Sequence, residues 1–185
     1  MNKKIITTII FILLIIFVYN NEHATQNNQI NSEHQNTNQL DQKQKVTLDR
    51  VVDGDTLVVF IDGESERVRL IGVDSPESVK ENTPVECFGN ESADYLEKLL
   101  SDNENIFLEY DEAAGKHDKY GRLLAHVFLA DNTNVNRKII HNGYAYEYSY
   151  QGQSYLHKNE YKDAEKFAKE NKKGLWSLDS CNGIK

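Results

Sequence analysis

"VVDGDTLVVFIDGESERVRLIGVDSPE", from Val51 to Glu77, is the stretch whose reading decides the fold. Thr56 to Ile61 and Arg67 to Val73 are rich in β-branched residues, and a third such run, Lys45 to Val52, precedes them. Asp53-Gly54 and Asp62-Gly63-Glu64 stand between these runs, and Asp-Gly between apolar runs is a turn signal. Three successive strands are therefore expected. If Thr56–Ile61 and Arg67–Val73 form a hairpin, the start of one strand lies beside the end of the other, and Asp55 is brought next to Asp74. An ordinary hairpin turn also uses Asp and Gly, so the two acids acquire meaning only from what surrounds them.

Working outward, Asn105 to Tyr110 and Leu123 to Leu129 read as two further strands, giving five. Ala93, Leu96, Leu99 and Leu100 fall at helical spacing, so a helix is expected from about Asn90 to Leu100. Asn134 to His141 reads as a short helix closed by Gly143, and Leu156 to Asn171 as a longer one ended by Gly174, with Lys169, Lys172 and Lys173 suiting its C-terminal end. Five short strands and three helices in this order fit an α+β domain, a small barrel with helices packed on it. Trp176 is expected to be a packing aromatic.

Upstream of the barrel the composition changes twice. Lys3 and Lys4 precede an apolar run from Ile5 to Tyr19, the pattern of an export signal. The run is shorter than the ~20 residues of a spanning helix. Residues 1–19 are therefore a cleaved signal peptide or a retained membrane anchor, and the sequence leaves both open. Residues 20–45 are polar and carry too few apolar side chains to offset the entropy of ordering, as expected of a disordered linker. The folded domain is placed at 46–177, with 178–185 as a C-terminal tail.

The 185-residue chain has a net charge of −8, and −9 once Met1 to Ala24, with two lysines and one glutamate, is set aside. A domain this acidic lacks the basic surface of a passive nucleic-acid binder. A polyanion would have to be held locally, by a metal or a few placed arginines. Cys87 and Cys181 permit one disulfide, worth roughly 4 kcal/mol in the chain-entropy model for so long a loop, though spacing alone does not establish the bond.

Neighbouring carboxylates such as Asp55 and Asp74 raise each other's pKa unless a cation lies between them, and their hard oxygens suit calcium or magnesium. Arg69 supplies a positive charge nearby, and Glu77 follows the turn through Pro76. "DKYGR", Asp118 to Arg122, adds a second arginine. Phosphodiester hydrolysis needs a cation, guanidinium groups to neutralise phosphoryl oxygens and a free carboxylate to orient or deprotonate water.

Asp-Gly-Asp-Thr, then Arg-Leu-Ile-Gly-Val-Asp-Ser-Pro-Glu, then Asp-Lys-Tyr-Gly-Arg, in that order, resemble the staphylococcal nuclease (thermonuclease) family. The resemblance runs over residues 46–177, to the Gly-Leu-Trp-Ser that ends at Ser177. It implies a five-stranded OB-fold barrel with three helices and calcium-dependent, endo- and exonucleolytic hydrolysis of DNA and RNA that leaves 3′-phosphates. Carried over by position, it implies Asp55, Asp74 and the Ser75 carbonyl as calcium ligands; most members carry threonine in place of Ser75. Arg69 and Arg122 would bind phosphate, and Glu77 would be the general base. Lys119 and Tyr120 would contact the nucleotide. Tyrosines of "GYAYEYSYQGQ" (Gly143 to Gln153) would stack on bases; Tyr148 and Tyr150 are the pair selected, with the register left open. Single strands are the preferred partner, the protein is expected to be a secreted or surface-anchored monomer, and Asp53 is read as a turn acid. A non-catalytic OB-fold module that binds single strands and a tethered calcium-binding or adhesion domain are the alternatives; the first would be expected to lack one of these ligands or arginines, and none is missing, while the second leaves Arg69, Glu77 and Arg122 without a task.

Overall fold

The structure, a computed structural model, describes residues 42–78 and 84–184. The signal or anchor segment 1–19 and most of the linker 20–45 lie outside the described residues. Strands β1 (Gln44–Asp53), β2 (Thr56–Ile61), β3 (Glu64–Leu70), β5 (Asn105–Glu109) and β6 (Leu123–Phe128) close a barrel in the order β1-β2-β3-β6-β5. The β3–β6 pairing is parallel and the others are antiparallel. Helices α1 (Gly89–Leu100), α2 (Val135–His141) and α3 (Lys158–Glu170) complete the α+β fold. Five closed strands with three helices are the OB-fold architecture expected from the sequence.

Period-two alternation fills the barrel. Leu57 and Val59 of β2, Val68 and Leu70 of β3, Ile106 and Leu108 of β5, and Ala125 and Val127 of β6 are all buried in one cluster. Leu96 and Leu100 of α1, Ile139 and Ile140 of α2, and Tyr161 and Ala164 of α3 extend it. Asp62 and Gly63 both take positive φ, 51° and 88°, so the β2–β3 turn has the handedness a tight hairpin requires.

Several boundaries differ from the sequence reading, and the third strand already begins at Glu64 instead of Arg67. The third strand stops at Leu70 instead of Val73, because Gly72 takes φ of 74° and turns the chain, a conformation that costs glycine little. Val73–Asp74, β4, then pairs with Tyr146–Glu147, β7, in a separate two-stranded sheet. The long helix begins at Lys158 and not Leu156, and it ends before Lys172, which itself takes φ of 49°; Gly174 instead opens a short 3₁₀ turn. Asn134 caps α2 by accepting the Arg137 N–H at 2.9 Å.

Cys87 and Cys181 are disulfide-bonded, with Cα atoms 5.9 Å apart. Trp176 packs edge-on against Tyr146 at 5.1 Å and lies under the Lys169 ammonium, as a packing aromatic should.

Beneath the barrel rim, the fully buried His126 ring has its Nδ1 2.8 Å from the Tyr161 hydroxyl and its Nε2 3.8 Å from Asp111. Burial, reinforced by the charge of His157, lowers its pKa to about 4. His157 is shifted the other way, raised chiefly by its hydrogen bond to Glu109. The unfolded chain protonates residue 126 near pH 6.5 and the folded one near pH 4, so this residue costs stability as pH falls through that window. His157 has the opposite sign: its contribution is complete below the unfolded pKa and fades as pH rises through its folded one. Between pH 7 and 4 the wild type should therefore lose about 3 kcal/mol more unfolding free energy than His126→Gln in urea titrations. Parallel pH profiles for the two proteins would contradict this assignment.

Candidate active site

The acids of "VDGDT" divide their work. Asp53 ends β1 opposite Thr56, and its Oδ1 accepts the Asp55 N–H at 2.9 Å, so it builds the turn. Burial, with the neighbouring Asp55 charge added, raises its carboxyl to about pKa 6. Gly54 is needed for space: a Cβ there would stand 2.6 Å from the Ser75 Cβ and 2.8 Å from that of Ser92. The turn can thus press directly on the loop that follows β4.

Asp55 is buried at that contact. Its Oδ2 accepts the Ser75 N–H at 2.9 Å, and its Oδ1 accepts the Thr56 hydroxyl at 3.0 Å. Residues twenty apart in sequence are joined by the first of these bonds. Arg69, paired across the hairpin with Thr56, brings in Asp74: its Nη2 lies 3.0 Å from Asp55 Oδ2 and 3.7 Å from Asp74 Oδ1. Its Nη1 donates to the carbonyls of Val73 at 2.6 Å and Leu70 at 3.0 Å, so the guanidinium also spans the Gly72 turn. From below, Asn136 of α2 fixes that turn by donating to the Ile71 carbonyl at 2.9 Å while accepting the Val127 N–H at 2.8 Å.

Arg122 is held equally firmly. Its Nε donates to Asp118 Oδ2 at 2.7 Å, its backbone N–H to Asp118 Oδ1 at 2.9 Å, and its Nη1 to the Thr56 hydroxyl at 3.3 Å. Desolvation raises the Asp118 carboxyl, but the hydrogen bonds from Arg122 and Tyr120 and the Arg122 charge outweigh it, and the net shift is downward. Thr56 therefore connects Asp55 to Arg122 through one hydroxyl.

Arg69, Asp74, Asp118, Lys119, Tyr120 and Arg122 line one cavity of about 510 Å³, and Tyr148, Tyr150 and Tyr155 form part of its wall. Tyr120 is 73% exposed, Tyr148 43% and Tyr150 52%, so their rings are available to a ligand. The other tyrosines of this segment are engaged in packing: Tyr144 stacks on Tyr95 at 3.9 Å, and Tyr146 packs on Trp176. Arg69, Lys119 and Arg122 face Asp74 and Asp118 here, a local basic concentration on an acidic chain.

Not every residue singled out from the sequence reaches this cavity. Asp55 and Ser75, each 6% exposed, lie beneath its lining, and Glu77 is not among the lining residues either. Half-buried Glu77 sits two residues beyond Ser75, with its N–H donating to Glu86 Oε2 at 2.9 Å. Sequence reasoning missed Asp118 as the anchor of Arg122; an acid four residues before an arginine in a Gly-containing turn was the available signal. It also missed Asn136, for which the sequence offers none.

Among the described residues no cluster of three or more His, Cys, Asp or Glu side chains stands ready to hold a metal. A bound metal would take two carboxylates, Asp55 and Asp74, with main-chain carbonyl and water completing its shell. The residues fit such an ion: both carboxylates already converge on one cationic group, the Arg69 guanidinium, and all the side-chain donors are hard oxygens.

Residues 67–178 match the family model for Staphylococcal nuclease homologue. The chain is 37% identical to the Thermonuclease of Staphylococcus hyicus over 175 residues, 95% of this chain and 99% of that one. It is 49% identical to the Thermonuclease of Staphylococcus intermedius over 96 residues, 52% of this chain and 55% of the relative. Endonuclease YncB of Bacillus subtilis (strain 168) is 35% identical over 159 residues, 84% of this chain and 73% of the relative.

Proposed function

This chain belongs to the staphylococcal nuclease family, and from that premise we propose that it is a calcium-dependent nuclease, an exported phosphodiesterase acting on DNA and RNA with little sequence preference. One observation carries the reading: Arg69 lies within 3.0 and 3.7 Å of two carboxylates, on a cavity that Arg122 also lines. Calcium held by Asp55, Asp74 and the Ser75 carbonyl would supply charge neutralisation at the phosphate when bound. Arg69 and Arg122 bind the non-bridging oxygens and stabilise the charge that develops on them. Glu77 takes a proton from the attacking water as its oxygen bonds to phosphorus. The bond from phosphorus to the 5′ oxygen breaks and that oxygen takes a proton from solvent water, leaving a 3′-phosphate and a 5′-hydroxyl. A guanidinium with a pKa above ~12 is a poor proton donor, so the arginines act through charge.

Tyr120, Tyr148 and Tyr150 offer π-faces beside Lys119, and stacking is indifferent to base identity. Unpaired bases expose those faces, which favours single strands. The apolar segment 5–19 behind two lysines, together with a disulfide suited to an oxidising compartment, supports secretion or anchoring at the cell surface. We take the protein to act as a monomer.

Product analysis tests the reaction. The full chain incubated with single-stranded DNA and calcium should yield oligonucleotides ending in 3′-phosphate by mass spectrometry. Products with 5′-phosphate and 3′-hydroxyl ends would place the broken bond on the other side of phosphorus and overturn the assignment.

A further inference from the structure

We propose that the Cys87–Cys181 disulfide is a positioning element for Glu77, acting through Glu86, so that the hydrolytic rate depends on the oxidation state of this bond. The inference rests on the reading of Glu77 as the base. Two hydrogen bonds of opposite sense join Glu77 to Glu86: the Glu77 N–H donates to Glu86 Oε2 at 2.9 Å, and the Glu86 N–H donates to the Glu77 carbonyl at 2.9 Å. Gly89, the first residue of α1, presses on the same carbonyl so closely that a Cβ there would stand 2.5 Å from its oxygen. The backbone of Glu77 is therefore fixed by the segment 86–89.

The disulfide is the covalent hold on that segment, beside the Gly89 N–H donating to the Glu86 carbonyl at 3.0 Å, the Ser92 hydroxyl donating to the Phe88 carbonyl at 2.8 Å and the Phe88 ring packing on Tyr144 at 5.3 Å. Phe88 takes φ of 71°, a left-handed conformation that a non-glycine residue keeps only when its surroundings hold it. No side chain caps the helix it begins. Cys87, between Glu86 and Phe88, is bonded to Cys181, which is buried in a C-terminal segment anchored in turn to the core. There the Gly183 N–H donates to the Leu175 carbonyl at 2.8 Å, and the Leu175 N–H to that of Gly143 at 2.8 Å. The crosslink thus connects the support of Glu77 to a fixed point 94 residues away in sequence. Cys87 itself is exposed, so a small thiol can reach the bond. Dithiothreitol would transfer two electrons and two protons, breaking the sulfur–sulfur bond to leave two thiols and closing itself to a cyclic disulfide. Freed of the crosslink, the segment loses its covalent hold, and Glu86 holds Glu77 less tightly. Small misplacements of a reacting group cost up to about 100-fold in rate.

The experiment compares the oxidised full chain, the dithiothreitol-reduced chain and Cys87→Ser/Cys181→Ser, all below their thermal midpoints. Turnover of single-stranded DNA is measured alongside amide hydrogen exchange at Glu77. Loss of the crosslink should lower kcat about 10- to 100-fold with KM little changed and speed exchange of the Glu77 amide by about tenfold or more. Glu86→Leu should reproduce the kcat loss with the disulfide intact, whereas Glu86→Gln, whose amide oxygen can still accept from Glu77, should restore most of it. An unchanged Glu77 exchange rate, or a lowered thermal midpoint with an unaltered kcat, would assign the disulfide to stability alone and overturn the proposal. If the oxidised chain has no nuclease activity, the functional reading falls separately, and the exchange measurement still decides whether the disulfide positions Glu77.

Discussion

Replacing Glu77 by Gln should lower kcat on single-stranded DNA by about 10²–10⁴-fold, the range expected for losing a general base, while KM stays close to that of the wild type. The two side chains have nearly the same shape, so the hydrogen bonds of the Glu77 backbone with Glu86 persist in the variant. The groups assigned to phosphate are Arg69, held by Asp55 and Asp74, and Arg122, held by Asp118. Substrate should therefore still bind. What disappears is an oxygen able to accept the proton of water, since a carboxamide is not a base at neutral pH. The expected signature is a fall in kcat and in kcat/KM by the same factor. A variant that turns over as fast as the wild type would exclude Glu77 from proton transfer. A variant whose loss lies wholly in KM would make it a binding residue.

Much of this site could be read from one stretch of sequence. The β2–β3 hairpin follows from period-two alternation on both sides of Asp62-Gly63, and its register sets Thr56 opposite Arg69. That pairing places Arg69 beside the Asp55 turn. The position of Asp74 was right for a partly wrong reason. A strand running through Val73 was expected to deliver it, whereas the chain turns at Gly72 and delivers it from a second small sheet. A lone glycine in a β-branched run does not announce which way the backbone will turn there.

The tyrosines show another limit. Tyr144, Tyr146, Tyr148 and Tyr150 alternate with shorter side chains, so periodicity assigns all four to one face. Only the two-residue strand Tyr146–Glu147 and the 3₁₀ turn after it separate the pair on the cavity from the pair in packing contacts. The disulfide and the buried Asn136 bridge depend on contacts between distant segments, on which local pattern is silent.

Metal removal should have the second large effect. In the structure Arg69 is committed to Asp55 and Asp74. Without a divalent cation these acids leave two negative charges beside an incoming phosphate and draw Arg69 toward themselves. Both effects oppose transition-state binding, and the loss of even one stabilising donor from such sites costs about 10²–10³-fold. Asp55 is too buried and too fully hydrogen-bonded to turn away from the site.

The direct measurement is the rate at which the full chain degrades single-stranded DNA and RNA in calcium, followed through addition of excess EGTA and then of excess calcium. The rate should fall by at least about 10³-fold on chelation and return on calcium addition. Degradation that continues undiminished in the chelator would contradict a calcium site at Asp55 and Asp74, and with it the proposed mechanism.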